Sequence, residues 1–258
     1  MKTKTIAVAN EKGGVGKTVT VINLAAALTL EKKKVLVVDM DPQANATKGL
    51  GVDAVDEGRS VYDLIQPNGG AALKDVITPT AWKGLDLIAS HSDLAGAEVE
   101  LLEVEGRENL LADAMGKLSA DYDYVLLDTP PSLSLLTVNV FTYASQVLIP
   151  CQTHPYAYGA LSELCDTVDA VQEEINPDIA ILGIVPTFYD IRTRVSQQVL
   201  SQLRSDERYK DMLFDTVVRS NITIAESAAV GKPVVFYRSG SFGAVDYRDL
   251  AGEVISKS

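Results

Sequence analysis

The chain has 258 residues, 47% hydrophobic and 22% charged, which suits a folded globular protein and excludes disorder as its main state. Lys and Arg number 23 against 35 Asp and Glu, so the net charge of -12 excludes a nucleic-acid binder held by its overall field, though not a local basic patch. Two cysteines, Cys151 and Cys165, and two histidines, His91 and His154, exclude a disulfide scaffold and a multi-histidine metal centre, and suit a reducing, cytosolic compartment.

The opening residues carry too short an apolar run for a signal peptide, and no stretch reaches the ~20 apolar residues of a membrane span. Thr5–Ala9 reads as a strand buried on both faces. It leads into Asn10-Glu11-Lys12-Gly13-Gly14-Val15-Gly16-Lys17-Thr18 and then a helix whose Val21, Leu24, Ala25 and Leu28 share one face. Lys32-Lys33-Lys34 follows, where cations suit the end of a helix dipole. Val35–Asp39 is the second strand, continued by Met40-Asp41-Pro42-Gln43. Gly49–Gly84 is rich in turn-forming residues, with a short helix around Ser60–Ile65. Leu85–Ile88, Tyr124–Asp128, Val147–Pro150 and Ile179–Pro186 are further strands. Between and after them, Leu161, Leu164, Val168 and Val171 repeat at helical spacing, as do Val195, Val199 and Leu203. The alternation predicts an α/β fold in one domain over residues 1–258. Its mostly parallel, twisted sheet carries helices on both faces, with the site at the carboxyl ends of the strands.

The residues after the first strand have the chemistry of a phosphate loop. Glycines let backbone N–H groups curl around phosphate oxygens, Lys17 supplies charge for the β- and γ-phosphates, and the Thr18 hydroxyl suits Mg²⁺. The helix that follows adds its N-terminal dipole. Glu11 stands where the strict motif asks for glycine, and Lys12 is an extra lysine; this two-lysine pattern is the deviant Walker A motif. Asp39 and Asp41 stand at the end of the second strand and Asp128 ends the Tyr124–Asp128 strand, the acidic position on the metal side of a nucleotide.

With these motifs the chain resembles the ParA/Soj family of partition ATPases, within the ParA/MinD class. The likeness extends through Asp93-Leu94-Ala95-Gly96-Ala97-Glu98, Asp128-Thr129-Pro130-Pro131-Ser132, Leu136-Thr137-Val138-Asn139 and Gly231-Lys232-Pro233-Val234. It implies a P-loop ATPase that takes ATP and Mg²⁺, dimerises on ATP and binds DNA without sequence preference. A ParB-type partner would stimulate hydrolysis and so drive plasmid or chromosome partition. It also implies roles for single residues. Lys17 would hold the β/γ-phosphates within a loop of Gly13, Gly14, Val15 and Gly16, and Thr18 would bind Mg²⁺ directly. Lys12 would reach the partner subunit's nucleotide, with Gly13 and Gly14 allowing close approach of two backbones. Asp41 would position the attacking water, and Asp39 and Asp128 would hold Mg²⁺ through water. Arg192, Arg194 and Arg219 are the expected DNA contacts, although Thr223 stands where many relatives carry a further arginine.

Two alternatives share this machinery. One positions a protein cargo on the same DNA gradient. The other is MinD-like and needs a basic, bulky C-terminal amphipathic helix, whereas this chain ends Leu250-Ala251-Gly252-Glu253-Val254-Ile255. No membrane association is therefore expected, and the place of action is the nucleoid in the cytoplasm. Only four residues precede Thr5, so an operator-binding extension is not expected either. Cys165 is expected in or beside the core.

Overall fold

The structure is a computed structural model and describes residues 2–52, 59–67, 70–116, 118 and 121–258. Parts of the Gly49–Gly84 segment, residues 53–58 and 68–69, lie outside the described residues. The elements run β1 (Lys4–Val8), α1 (Lys17–Leu30), β2 (Val35–Asp39), α2 (Asn45–Gly49), α3 (Val61–Leu64), α4 (Leu73–Val76), β3 (Ile77–Pro79), β4 (Leu85–Ile88), α5 (Leu94–Glu100) and α6 (Leu110–Met115). They continue with β5 (Tyr124–Asp128), α7 (Leu135–Tyr143), β6 (Gln146–Gln152), α8 (Ala157–Glu174), β7 (Ala180–Thr187), α9 (Arg194–Ser205), α10 (Ile222–Ala229), α11 (Val234–Tyr237) and α12 (Phe242–Lys257).

Seven strands form one sheet in the order β3-β4-β2-β5-β1-β6-β7. All neighbours are parallel except β3, which pairs antiparallel to β4 at the edge. Successive side chains of a strand point to opposite faces, so each central strand feeds two cores. Ile6 and Val8 pack with Val35, Val37, Leu126 and the α1 and α12 residues Leu24, Leu28, Leu250 and Val254. Ala7 and Ala9 pack with Leu36, Val38, Leu127 and the α7 and α8 residues Val140, Phe141, Leu161 and Leu164. This two-sided burial explains why the parallel strands read as unbroken apolar runs.

The expected helical faces at Val21, Leu24, Ala25 and Leu28, and at Leu161, Leu164, Val168 and Val171, are buried. Cys151 and Cys165 are buried free thiols, as the core reading of Cys165 requires. Burial is also why the Cys151 thiol is pushed up to about 12. The third helical face needs correction: Val199 and Leu203 face inward, but Val195 is 48% exposed and Ser196 is buried in its place. Ser196 turns inward because its hydroxyl pairs with that of Thr153 at 2.5 Å and accepts the Asp190 N–H at 3.1 Å. Among the described residues no helix is long and apolar enough to cross a membrane.

Candidate active site

The carboxyl ends of β2, β5 and β1 lie side by side, and the loop after β1 meets two strand-terminal aspartates there. Asp39 pairs in register with Asp128, and Asp128 with Val8, two residues before the loop begins. Gly14 and Gly16 take positive φ of 76° and 94°, a conformation that costs other residues about 1–2 kcal/mol. This curls the loop onto the start of α1. α1 begins without a side-chain cap and with no acidic residue in its first turn. The N–H groups of residues 13–18 find no acceptor among the described residues. Uncapped N–H groups at a helix start form an anion site.

Four contacts hold the loop's shape. Asn10 Nδ2 donates to the Pro150 carbonyl at 2.8 Å, and Asn10 Oδ1 accepts the Lys12 N–H at 2.9 Å. Lys17 Nζ donates to the Asn10 carbonyl at 2.9 Å, and Thr187 Oγ1 to the Val15 carbonyl at 2.8 Å. Phe188, at a φ of 51°, lays its ring 3.2 Å from where a Cβ on Gly16 would stand. Asn10, Thr187 and Phe188 were not legible as site residues, because the contacts Asn10–Pro150, Thr187–Val15 and Phe188–Gly16 join segments far apart in the sequence.

Lys17 is only 7% exposed. Burial lowers its pKa, while the negative charges of Asp128 and Asp41 oppose that shift. Lys17 and the two aspartates therefore share one electrostatic site. Lys12 is half-buried in the loop, and its charge reaches Cys151. Glu11 is half-buried too; burial and then the Glu163 charge raise its pKa, and its Oε1 has no partner.

The aspartates differ sharply in how they are held. Asp39 is fully buried and accepts from the Thr47 N–H and hydroxyl at 2.8 and 2.7 Å, and from the Asp41 N–H at 3.2 Å. Burial raises its pKa to about 6 against those hydrogen bonds. Asp128 is equally buried, yet neither carboxylate oxygen has a hydrogen-bond partner. Burial and then the Asp39 charge raise its pKa well above the usual range, with the nearby Thr18 hydroxyl and the Lys17 ammonium opposing. Asp41 is 7% exposed and accepts the Gln43 N–H at 2.9 Å through Oδ1.

An orphaned carboxylate beside a threonine hydroxyl and two further carboxylates is a hard oxygen donor set of the kind Mg²⁺ takes. Among the described residues no cluster of three or more His, Cys, Asp or Glu is placed to hold a metal alone. That fits an ion that keeps its waters and shares itself with phosphate oxygens.

The arginines are placed unequally. Arg192 is 84% exposed, but its guanidinium is engaged by Asp190 at 2.9 and 2.8 Å. Arg219 is clasped by the buried Asp246 and stacks 4.2 Å over the Phe242 ring. Arg194 is exposed at the start of α9. A large cleft of about 840 Å³ lies away from all of these, at the amino ends of β2, β4 and β5, lined by Lys32, Lys33, Lys34 and Lys83 with Asp86 and Asp121. It is not the phosphate site.

Residues 3–181 match the family described as AAA domain. Sporulation initiation inhibitor protein Soj of Bacillus subtilis (strain 168) is 42% identical, covering 97% of this chain and 98% of its own length. The chain belongs to the ParA/Soj family of P-loop ATPases. Chromosome partitioning protein ParA of Caulobacter vibrioides (strain NA1000 / CB15N) is 40% identical over 98% of this chain and 94% of its own. Among solved structures, cobyrinic acid a,c-diamide synthase from Mycobacterium smegmatis with bound ADP and magnesium is similar at a TM-score of 0.82. It is 36% identical and covers 97% of this chain and 93% of that one.

Proposed function

We propose that this chain is a single-domain, Mg²⁺-dependent ATP switch that partitions DNA. The observation that carries the reading is the phosphate loop on the uncapped start of α1, with buried Lys17 and the orphaned carboxylate of Asp128 in one electrostatic site. Lys17 holds the β/γ-phosphates, and the free N–H groups of residues 13–18 surround them. Thr18, Asp39 and Asp128 are the residues that would hold Mg²⁺, the first directly and the aspartates through water. The ion supplies charge neutralisation for the phosphates. Asp41 orients the attacking water. Lys12 crosses to a second subunit's nucleotide, delivering a cation to developing phosphoryl charge as an arginine finger does. Gly13 and Gly14 are both exposed, which supports close approach of two loops.

The ATP dimer binds DNA without sequence preference in the nucleoid, and a ParB-type partner triggers hydrolysis and release. The likeness to chromosome partitioning protein ParA supports partition rather than positioning of a protein cargo. α12 is not itself a MinD-like membrane tether, because its Tyr247, Leu250, Ala251 and Val254 are buried in the core shared with α1. Of the three arginines, Arg194 is free of an ion pair among the described residues, and Arg192 must give up Asp190 or present both charges together.

Binding to a random-sequence duplex, without nucleotide and with ADP, ATP or a slowly hydrolysed analogue, tests the reading at two salt concentrations. Binding that needs ATP and weakens steeply with salt is expected. Intact hydrolysis with no DNA binding in any state overturns the partition mechanism.

A further inference from the structure

The loop carrying Asp39 and Asp41 is tied into a closed ring of hydrogen bonds by two residues outside the phosphate motifs. Thr47, in α2, is 3% exposed, and both its N–H and its hydroxyl donate to Asp39 Oδ2. A hydroxyl has one proton and two lone pairs. The proton is spent on Asp39, and a lone pair of Thr47 Oγ1 accepts the Ser90 N–H at 3.0 Å. Ser90 lies two residues beyond β4 and is 2% exposed. Its own hydroxyl donates to the Asp41 carbonyl at 2.7 Å. The Asp41 N–H then closes the ring on Asp39 Oδ1 at 3.2 Å.

The backbone of Asp41 is therefore gripped at both its N–H and its carbonyl. Its side chain keeps only the Gln43 N–H on Oδ1 among the described residues, so Oδ2 is left for other work. The ring draws on three separate stretches of chain, the end of β2, α2 and the end of β4, so its geometry is set by tertiary packing. It also spends Asp39: three protein donors occupy that carboxylate, while Asp128 has the Thr18 hydroxyl nearby but no donor in hydrogen-bond geometry.

We infer that Thr47 and Ser90 are positioning residues for hydrolysis, acting through Asp39 and the Asp41 backbone to aim the Asp41 carboxylate. This rests on the proposed ATPase reading. Neither residue lies in the phosphate loop, so their loss acts on turnover and leaves nucleotide affinity measured without Mg²⁺ in place; Thr47 reaches the ion's side of the site only through Asp39.

The test measures kcat, nucleotide affinity and melting temperature on the full chain for Thr47→Val, Thr47→Ser and Ser90→Ala, beside wild type and Asp41→Ala. Thr47→Val keeps the shape and loses the hydroxyl. Its kcat is expected to fall about ten- to a hundredfold, the usual cost of losing an outer-shell partner, with nucleotide affinity measured without Mg²⁺ unchanged. Thr47→Ser restores turnover because it restores the hydroxyl. Ser90→Ala removes only the bond to the Asp41 carbonyl, leaves every Asp39 partner in place, and lowers kcat alone. It carries the test if Thr47→Val fails to fold. Unchanged kcat in Thr47→Val and Ser90→Ala, with Asp41→Ala inactive, overturns the inference and spares the ATPase reading. A parallel fall of kcat, affinity and melting temperature that Thr47→Ser does not rescue also overturns it, since that is what a merely structural role gives. No turnover in wild type overturns the ATPase reading itself.

Discussion

Asp128→Asn should make the nucleotide-free protein more stable while disabling it. Asp128 is fully buried, both its oxygens lack partners, and Asp39 stands beside it in the strand register. A buried polar group left unsatisfied costs about 1–3 kcal/mol, and more when charged. Asparagine keeps the shape and one acceptor, turns the other oxygen into an amide donor beside the Asp39 carboxylate, and removes the ionisable group whose burial is the larger cost. The expected gain is therefore about 1–3 kcal/mol. In a chain of this size each kcal/mol moves the melting temperature by about 2–4 °C, so the ligand-free variant should melt ~2–12 °C higher. Saturation reverses the comparison. A ligand at about a hundred times its Kd adds about 2.7 kcal/mol to the form that binds it. Wild type gains that from ATP with Mg²⁺, and a variant that holds the ion poorly gains less. Thermal melts in chelator, and then with Mg²⁺ and a slowly hydrolysed ATP analogue, read both halves. A variant that melts at or below wild type without ligand, and shifts as much with it, refutes the argument that this carboxylate is kept at a cost for the metal.

Two other substitutions separate binding from turnover and test the loop. Lys17→Ala is expected to abolish nucleotide binding, whereas Asp41→Ala should keep binding and stop phosphate release; normal hydrolysis by Asp41→Ala would show that another group orients the water. Gly16→Ala forces a Cβ into a φ of 94° and to 3.2 Å from the Phe188 ring. The strain of about 1–2 kcal/mol should weaken nucleotide binding by roughly tenfold, read by titration with a fluorescent nucleotide; wild-type affinity would mean the loop can relax.

Much of the fold was legible because six of the strands are parallel and the inner ones are buried on both faces. Val35–Asp39, Leu85–Ile88 and Tyr124–Asp128 appear with the expected bounds, and the other expected strands shift by a residue or two. β3 was missed, as a three-residue antiparallel edge strand ending in Pro79 leaves no periodic trace. The inward turn of Ser196 was missed for another reason. A polar residue paid for by two hydrogen bonds is invisible to hydrophobic spacing. The phosphate loop was readable because each of its tasks demands a residue type at a fixed offset. Asn10, Thr47, Ser90, Thr187 and Phe188 were not, because each acts on atoms brought near only by folding.

The same distinction governs charge. Composition counts cations and carboxylates, but function depends on which of them are already spent. Arg192 and Arg219 look alike in sequence as DNA contacts, yet one lies exposed on Asp190 and the other is clasped by Asp246 and stacked on Phe242. Asp39 and Asp128 look alike as strand-terminal carboxylates and occupy paired positions of neighbouring strands. One is satisfied by three donors and organises the loop that bears Asp41. The other is buried with no donor in hydrogen-bond geometry, a cost that a bound cation would offset. The position beside Lys17 and Thr18 makes Asp128 the carboxylate on which Mg²⁺ dependence should turn, with Asp39 setting where Asp41 points.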